Sequence, residues 1–233
     1  VTGVRTCALP IFYALRRGVI DMEFGGVTYY RGLLPEGDAI FGSTLTPMQA
    51  RANGALEALQ PYWAERINAY LIGWLQSGIG VNLYLADAPR FDATGLPDLS
   101  GLKIRTSPSN REMLLALGAR TVQIPVRDIY TALQRGTVDG LAYTSTGMPE
   151  LGIERFIRYR LEPSVLQLAV CLQINLDRWR SLPPAARRIL EEQAVLYEQR
   201  ARADFAVREA RDIELMAEAG MQTGTLEAEA ATA

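Results

Sequence analysis

The chain has 233 residues, 48% hydrophobic and 21% charged, with a net charge of −2, so it is globular and has room for one large or two small domains. It contains no histidine, which excludes Ser-His-Asp triads, Cys-His dyads and His-bearing zinc sites. A single lysine, Lys103, stands among 24 basic residues and is followed by Ile104, so no P-loop is indicated, and the net charge of −2 argues against a basic nucleic-acid face.

Residues 1–11 lack the basic start and apolar core of a signal peptide. They resemble translated sequencing-adapter read-through. Residues 1–12 are therefore expected to be a non-native leader, with the true N-terminus and its signal peptide missing and Cys7 discounted. Residues 13–17 end a helix, Gly18 caps it, and 19–24 read as a strand. Thr46-Pro47 opens a helix expected to reach about Leu59, before Pro61 interrupts it. Residues 69–75 and 81–85 read as strands joined by a Gly78-Ile79-Gly80 hairpin turn, and the apolar runs are too short to cross a bilayer. The polar stretch 87–100, with Pro89, Gly95 and Pro97, is the most loop-like part of the interior, and a lobe crossing is placed near its start.

Beyond it, 102–106 is a strand, 107–117 a helix capped by Gly118, 121–124 a strand, 125–135 a helix capped by Gly136, and 138–143 a strand. Residues 166–174 form an apolar strand, and Pro183 opens a helix extending to Ala219, with Gly220 as its stop. One echo recurs: 14–21 and 132–139 agree at Ala, Leu, the second Arg, Gly and Asp. Short helix-to-strand junctions match by chance, and the echo also fits two lobes built on one pattern.

Gly78-Ile79-Gly80 lacks the third glycine of a dinucleotide fingerprint and leads into a strand. Glu36 with Asp38, and Asp87 with Asp92, are candidate carboxylate pairs, but they lie in polar loops where solvated acids are expected. The Arg- and Glu-rich stretch 187–211 reads as the wet face of a long helix. Tyr29-Tyr30 fits either core or a ligand contact just past a strand end. Arg105 stands out because it ends a short strand ahead of the small-residue turn Thr106-Ser107-Pro108-Ser109-Asn110. A guanidinium beside helix amides suits a carboxylate, and a surface arginine at a strand end explains the pattern equally well.

The block from Asp98-Leu99-Ser100-Gly101-Leu102-Lys103-Ile104-Arg105-Thr106 through Ala116-Leu117-Gly118-Ala119 to Ile129-Tyr130-Thr131-Ala132-Leu133-Gln134-Arg135-Gly136-Thr137-Val138-Asp139-Gly140 resembles the central signature of a family. That family is the DctP-like extracytoplasmic solute-binding proteins of TRAP transporters. Asn175-Leu176-Asp177-Arg178-Trp179 with Leu182-Pro183 is similar to its return segment. The resemblance implies a two-lobed α/β fold of the type II periplasmic binding protein kind, with crossing strands and a long C-terminal helix spanning both lobes. It implies lobe 1 over 13–85 and 169–208, incomplete at its N-terminus, and lobe 2 over 86–168 and 209–233. An organic acid would be trapped in the interlobe cleft, with Arg105 pairing its carboxylate. Leu141-Ala142-Tyr143 stands where many sugar-acid binders carry Gln-Glu-Asn after Asp-Gly, and Tyr143 with Thr144 implies a smaller or less hydroxylated acid such as a 2-oxo or 2-hydroxy acid. Phe24, Thr28 and Tyr29 would line the first-lobe wall.

Many members carry a second arginine on the strand before the crossing loop. Residues 82–86 have none, and Arg90 falls late. The expected protein is a periplasmic, non-catalytic receptor with no cofactor and no metal, delivering its ligand to the membrane subunits of a TRAP transporter. Homodimerisation through the long helix stays open. A carboxylate-based two-lobed enzyme and a ligand-sensing domain of the same fold are the alternatives.

Overall fold

In a computed structural model the described residues are 8–226, so residues 1–7 of the expected leader lie outside them. The chain divides into two compact units. The first runs to Gly78 and resumes over Leu168–Asp204, and the second comprises Ile79–Gln167 and continues from Phe205. In chain order the elements are α1 (Ala8–Arg16), β1 (Met22–Gly26), α2 (Asp38–Phe41), α3 (Pro47–Ala52), α4 (Ala55–Ile67), β2 (Ala69–Gln76), β3 (Gly80–Leu85), β4 (Lys103–Thr106), α5 (Arg111–Ala116), β5 (Arg120–Gln123), α6 (Ile129–Gln134), β6 (Gly140–Thr144), β7 (Tyr159–Gln167), β8 (Val170–Asn175), α7 (Leu176–Ser181), α8 (Pro184–Glu218) and β9 (Gln222–Thr225).

The internal echo marks one local solution used twice. Gly18 at φ +69° and Gly136 at φ +62° each end a helix in the left-handed region. In both copies the residue after the glycine donates its amide back into the last turn at 2.8 Å, Val19 to Ala14 and Thr137 to Ala132. Phe12, inside the expected leader, is buried in the core with its ring 3.6 Å from that of Tyr30.

Three expectations change. The helix at Thr46 does take the expected cap, with a Thr46–Gln49 capping box, but it stops at Asn53-Gly54 and restarts as α4, which runs through Pro61. Pro61 and Glu57, whose carbonyl loses its helical partner, are both exposed, so the missing bond faces solvent instead of the core. The Gly78-Ile79-Gly80 segment is not a hairpin. β2 pairs with β8, whereas β3 pairs with β6 and β7, so the segment carries the chain from the first unit into the second. Gly80–Leu85, expected in lobe 1, accordingly belongs to the second unit. Finally, the apolar stretch 166–174 is two strands, β7 and β8, broken where the chain returns to the first unit.

In the first unit the described residues form a three-stranded antiparallel sheet, β1-β8-β2. One face packs Cys171 against Trp63, Tyr30, Leu15 and Leu34, and the other packs Ile72 and Ile174 against Trp179 and Ala194 of the C-terminal helices. In the second unit the order is β5-β4-β6-β3-β7-β9. There α5 covers the face of Leu83, Ile104 and Ala142, while α6 and the end of α8 cover that of Tyr84 and Leu141.

Two polar clusters cross the first unit's apolar layers. Glu198 of α8, with a fully buried side chain, bonds Arg51 Nε at 2.5 Å and Nη2 at 2.9 Å, and accepts the Trp74 amide at 2.8 Å. A Cβ on Gly73 would come within 2.6 Å of its carboxylate, so glycine there makes the approach possible. On the opposite face of the sheet Trp63 Nε1 donates to Gln173 Oε1 at 2.7 Å, and Gln173 Nε2 donates to Glu23 Oε2 at 2.6 Å. Burial raises the Glu23 carboxyl to about 7 against the opposing pull of the Gln173 bond.

Arg51→Ala leaves the buried Glu198 carboxylate without its cation and is expected to cost about 3 kcal/mol in urea unfolding. Loss of less than about 1 kcal/mol would show that the pair is solvated. Because Glu23 binds its proton more tightly folded than unfolded, its contribution is complete below pH 4.5 and is lost as pH rises through about 7. Glu23→Gln should flatten that part of the stability–pH curve, and an unchanged slope between pH 4.5 and 7 would contradict the assignment.

Candidate functional site

Strands β5, β4 and β6 run parallel, with Arg105 opposite Val122 on one side and Leu141 on the other. The connection from β4 to β5 passes through α5 on one face, and that from β5 to β6 passes through α6 on the other. The chain therefore reverses its direction of travel across the sheet around β4, and the carboxyl ends of β4 and β6 flank a topological switch point. Open α/β sheets bind ligands there. Arg105 and Tyr143 are the side chains that the sequence places at those two ends.

Arg105 is 5% exposed. Its Nε donates to the Ile124 carbonyl at 3.0 Å and its Nη1 to the Ala142 carbonyl at 3.4 Å. The guanidinium carbon lies 5.8 Å from the centre of the Tyr143 ring, within the range for cation–π attraction. Both side chains stand on the sheet face of Tyr84 and Leu141. Successive strand residues alternate faces, so Thr144 and Thr106 stand on the other.

That alternation corrects the expected partnership of Arg105 with helix amides. The turn after β4 is closed on itself: Asn110 Oδ1 accepts the Ser107 amide at 3.0 Å and the Thr106 hydroxyl at 2.9 Å. Arg105 instead reaches the carbonyls that follow β5 and belong to β6. Thr144 Oγ1 bonds the Thr146 carbonyl at 2.7 Å, and the Thr144 carbonyl accepts the Tyr84 hydroxyl at 3.2 Å. In the first unit Thr28 is buried in the turn after β1, and Tyr29 packs partly against the core. Phe24 is half exposed beside Leu172, on the opposite sheet face from Glu23 and Gln173.

Residues 82–86 of β3 carry no arginine, and the arginine nearest them on the sheet lies on the neighbouring strand β7. Arg160 of β7 pairs in register with Tyr84, is 3% exposed, lies in ion-pair contact with Glu162 at 2.7 Å, and donates from Nη2 to Glu209 at 3.3 Å. Burial pushes the Tyr84 phenol well above its usual range, with Arg160 pulling the other way. The alternation that turns Arg160 inward belongs to β7, a strand absent from the expected elements. Arg90 is exposed and bonds the Ser100 carbonyl at 2.6 Å. The candidate acids Glu36 and Asp38 are tied to Arg66 and Arg31, each at 2.6 Å. Among the described residues no three His, Cys, Asp or Glu side chains gather as a metal site, and no helix is long and apolar enough to cross a membrane.

A monocarboxylate 2-oxoacid-binding periplasmic protein of Nostoc sp. (strain PCC 7120) is 24% identical over 199 residues, covering 80% of this chain and 52% of the relative. A 2,3-diketo-L-gulonate-binding periplasmic protein of Escherichia coli (strain K12) is 30% identical over 141 residues, covering 57% and 41%. The chain spans 24% and 58% of the length of two further curated relatives, from Sinorhizobium fredii and Haemophilus influenzae. A TRAP periplasmic solute-binding protein from Chromohalobacter salexigens, solved with bound D-glucuronate, superposes with a TM-score of 0.80 at 20% identity, covering 95% of this chain and 74% of that one, and shows the fold. The sequence model of the bacterial extracellular solute-binding proteins, family 7, matches residues 93–233, which include Arg105 and Tyr143. The chain belongs to that family of extracytoplasmic solute-binding proteins.

Proposed function

We propose that this protein captures a small organic acid outside the cytoplasm and delivers it to the membrane subunits of a TRAP-type transporter. The observation that carries the proposal is the buried Arg105 guanidinium at the carboxyl end of β4, beside the Tyr143 ring. The curated relatives, named for binding a 2-oxoacid and a diketo sugar acid, support the ligand class.

The guanidinium's Nε and Nη1 donate to the Ile124 and Ala142 carbonyls. Those bonds fix the plane of the fork before any ligand arrives, so less rotamer freedom is lost on binding. A carboxylate meeting the fork forms charge-assisted hydrogen bonds in surroundings drier than water, where each is stronger. The apolar neighbours Val122 and Ile124 and the Tyr143 ring favour a compact acid. Capture requires no bond to be made or broken, and no catalytic role is assigned to any residue.

Arg105→Ala should weaken carboxylate binding by roughly 2 to 5 kcal/mol, about thirtyfold or more. Arg105→Lys keeps the charge, loses the planar fork and should also bind more weakly. Calorimetric titration with pyruvate, 2-oxobutyrate and D-glucuronate measures both, with circular dichroism confirming that the variants are folded. Equal affinity in the wild type and folded Arg105→Ala would remove Arg105 as the anchor.

A further inference from the structure

We propose that Asp212 is a positioning residue for the Arg105 site, holding the turn that follows Tyr143 through the backbone of Gly147. The proposal rests on the carboxylate-receptor reading of Arg105 and adds to it the element that keeps the Tyr143 end of β6 in place.

Asp212 lies on α8 and is 5% exposed. A carboxylate so withdrawn from water needs hydrogen-bond donors, and one of them is the Gly147 amide, which donates to Oδ2 at 2.8 Å. Gly147 is four residues past Tyr143, and the chain between them is held from outside β6 at successive points. The Thr144 carbonyl accepts the Tyr84 hydroxyl from β3 at 3.2 Å. Ser145 exchanges two bonds with Gly80, its amide to the Gly80 carbonyl at 2.7 Å and its hydroxyl accepting the Gly80 amide at 3.1 Å. Thr146 is held by its own segment, its carbonyl accepting the Thr144 hydroxyl at 2.7 Å. Gly147 then turns at φ +87° and is held by Asp212.

Of these anchors, Asp212 is the one supplied by α8. That helix contributes residues to both units, leaving the first at Asp204, about two turns before Asp212. Tyr84, Ser145, Arg160 and Asp212 line a space of about 10 Å³, room for no more than one water. The alternative role for Asp212 is to balance the Arg160 charge. Arg160 already has Glu162 and Glu209 as partners, and the short bond from Asp212 goes to the Gly147 amide. Asparagine separates the two roles, because it keeps an oxygen acceptor for Gly147 and removes the charge.

The test compares the whole chain with Asp212→Asn and Asp212→Ala in two measurements. Calorimetric titration uses pyruvate, 2-oxobutyrate and D-glucuronate, and hydrogen exchange follows the amides of 143–147 without ligand. A positioning role predicts that Asp212→Ala weakens the binding acid about tenfold or more and speeds exchange at 145–147. It also predicts that Asp212→Asn stays within about threefold of the wild type in affinity and exchange. If Asp212→Ala does not fold, Asp212→Ser takes its place. Unchanged affinity in the folded alanine or serine variant overturns the proposal, and so does an asparagine variant as weak as alanine, which would assign the effect to charge. If the wild type binds none of the acids, the carboxylate-receptor reading fails. Exchange then decides the clamp by itself: faster exchange at 145–147 in the alanine variant alone supports it, and unchanged exchange removes it.

Discussion

A guanidinium taken out of water is the constraint around which the second unit is arranged. Arg105 is nearly inaccessible, and burying its charge is costly unless acceptors surround it. The Ile124 and Ala142 carbonyls supply acceptors only because β5 and β6 flank β4 in parallel register. Parallel neighbours require crossover helices, and α5 and α6 take opposite faces. The same arrangement brings the ends of β4 and β6 together at the switch point. One buried cation thus ties sheet order and helix placement together.

The long helix shows how a charged sequence can still be structural. Much of α8 is solvated, as its run of arginine and glutamate implies, with Arg188–Glu192 and Arg200–Asp204 as exposed pairs one turn apart. Three of its acids have other work. Glu198 binds the bulged strand β2 of the first unit through Arg51 and the Trp74 amide, while Glu209 and Asp212 reach Arg160 and Gly147 in the second. Their burial cannot be read from composition, because the same residue types recur on the wet face. Only the packing against Gly73, where no side chain intrudes, shows why Glu198 is inside.

Local junctions were legible in the sequence, and strand partners were not. The glycine caps at Gly18 and Gly136, the capping box at Thr46 and the extent of α8 all follow from residue chemistry within one turn of the feature. The two echoing junctions then deliver their strands to different places: β1 to the edge of an antiparallel sheet, β6 beside parallel β4. A hairpin at Gly78 was the natural expectation from spacing, and it failed because both strands have better partners far along the chain. The same limit hid Arg160, whose place opposite Tyr84 depends on a pairing about 75 residues distant in sequence.

The scarcity of lysine gains a physical meaning on β4. Lys103 and Arg105 stand two residues apart on the same face of one strand, Lys103 exposed at its start and Arg105 buried at its end. An ammonium is strongly hydrated, and burial pushes it toward neutrality. A guanidinium is weakly hydrated, stays charged, and keeps its fork planar while donating to backbone carbonyls. The exposed position tolerates either cation. The buried position suits arginine, because neither burial nor ordinary pH removes its charge, and the proposed capture of an acid would draw on that permanent charge.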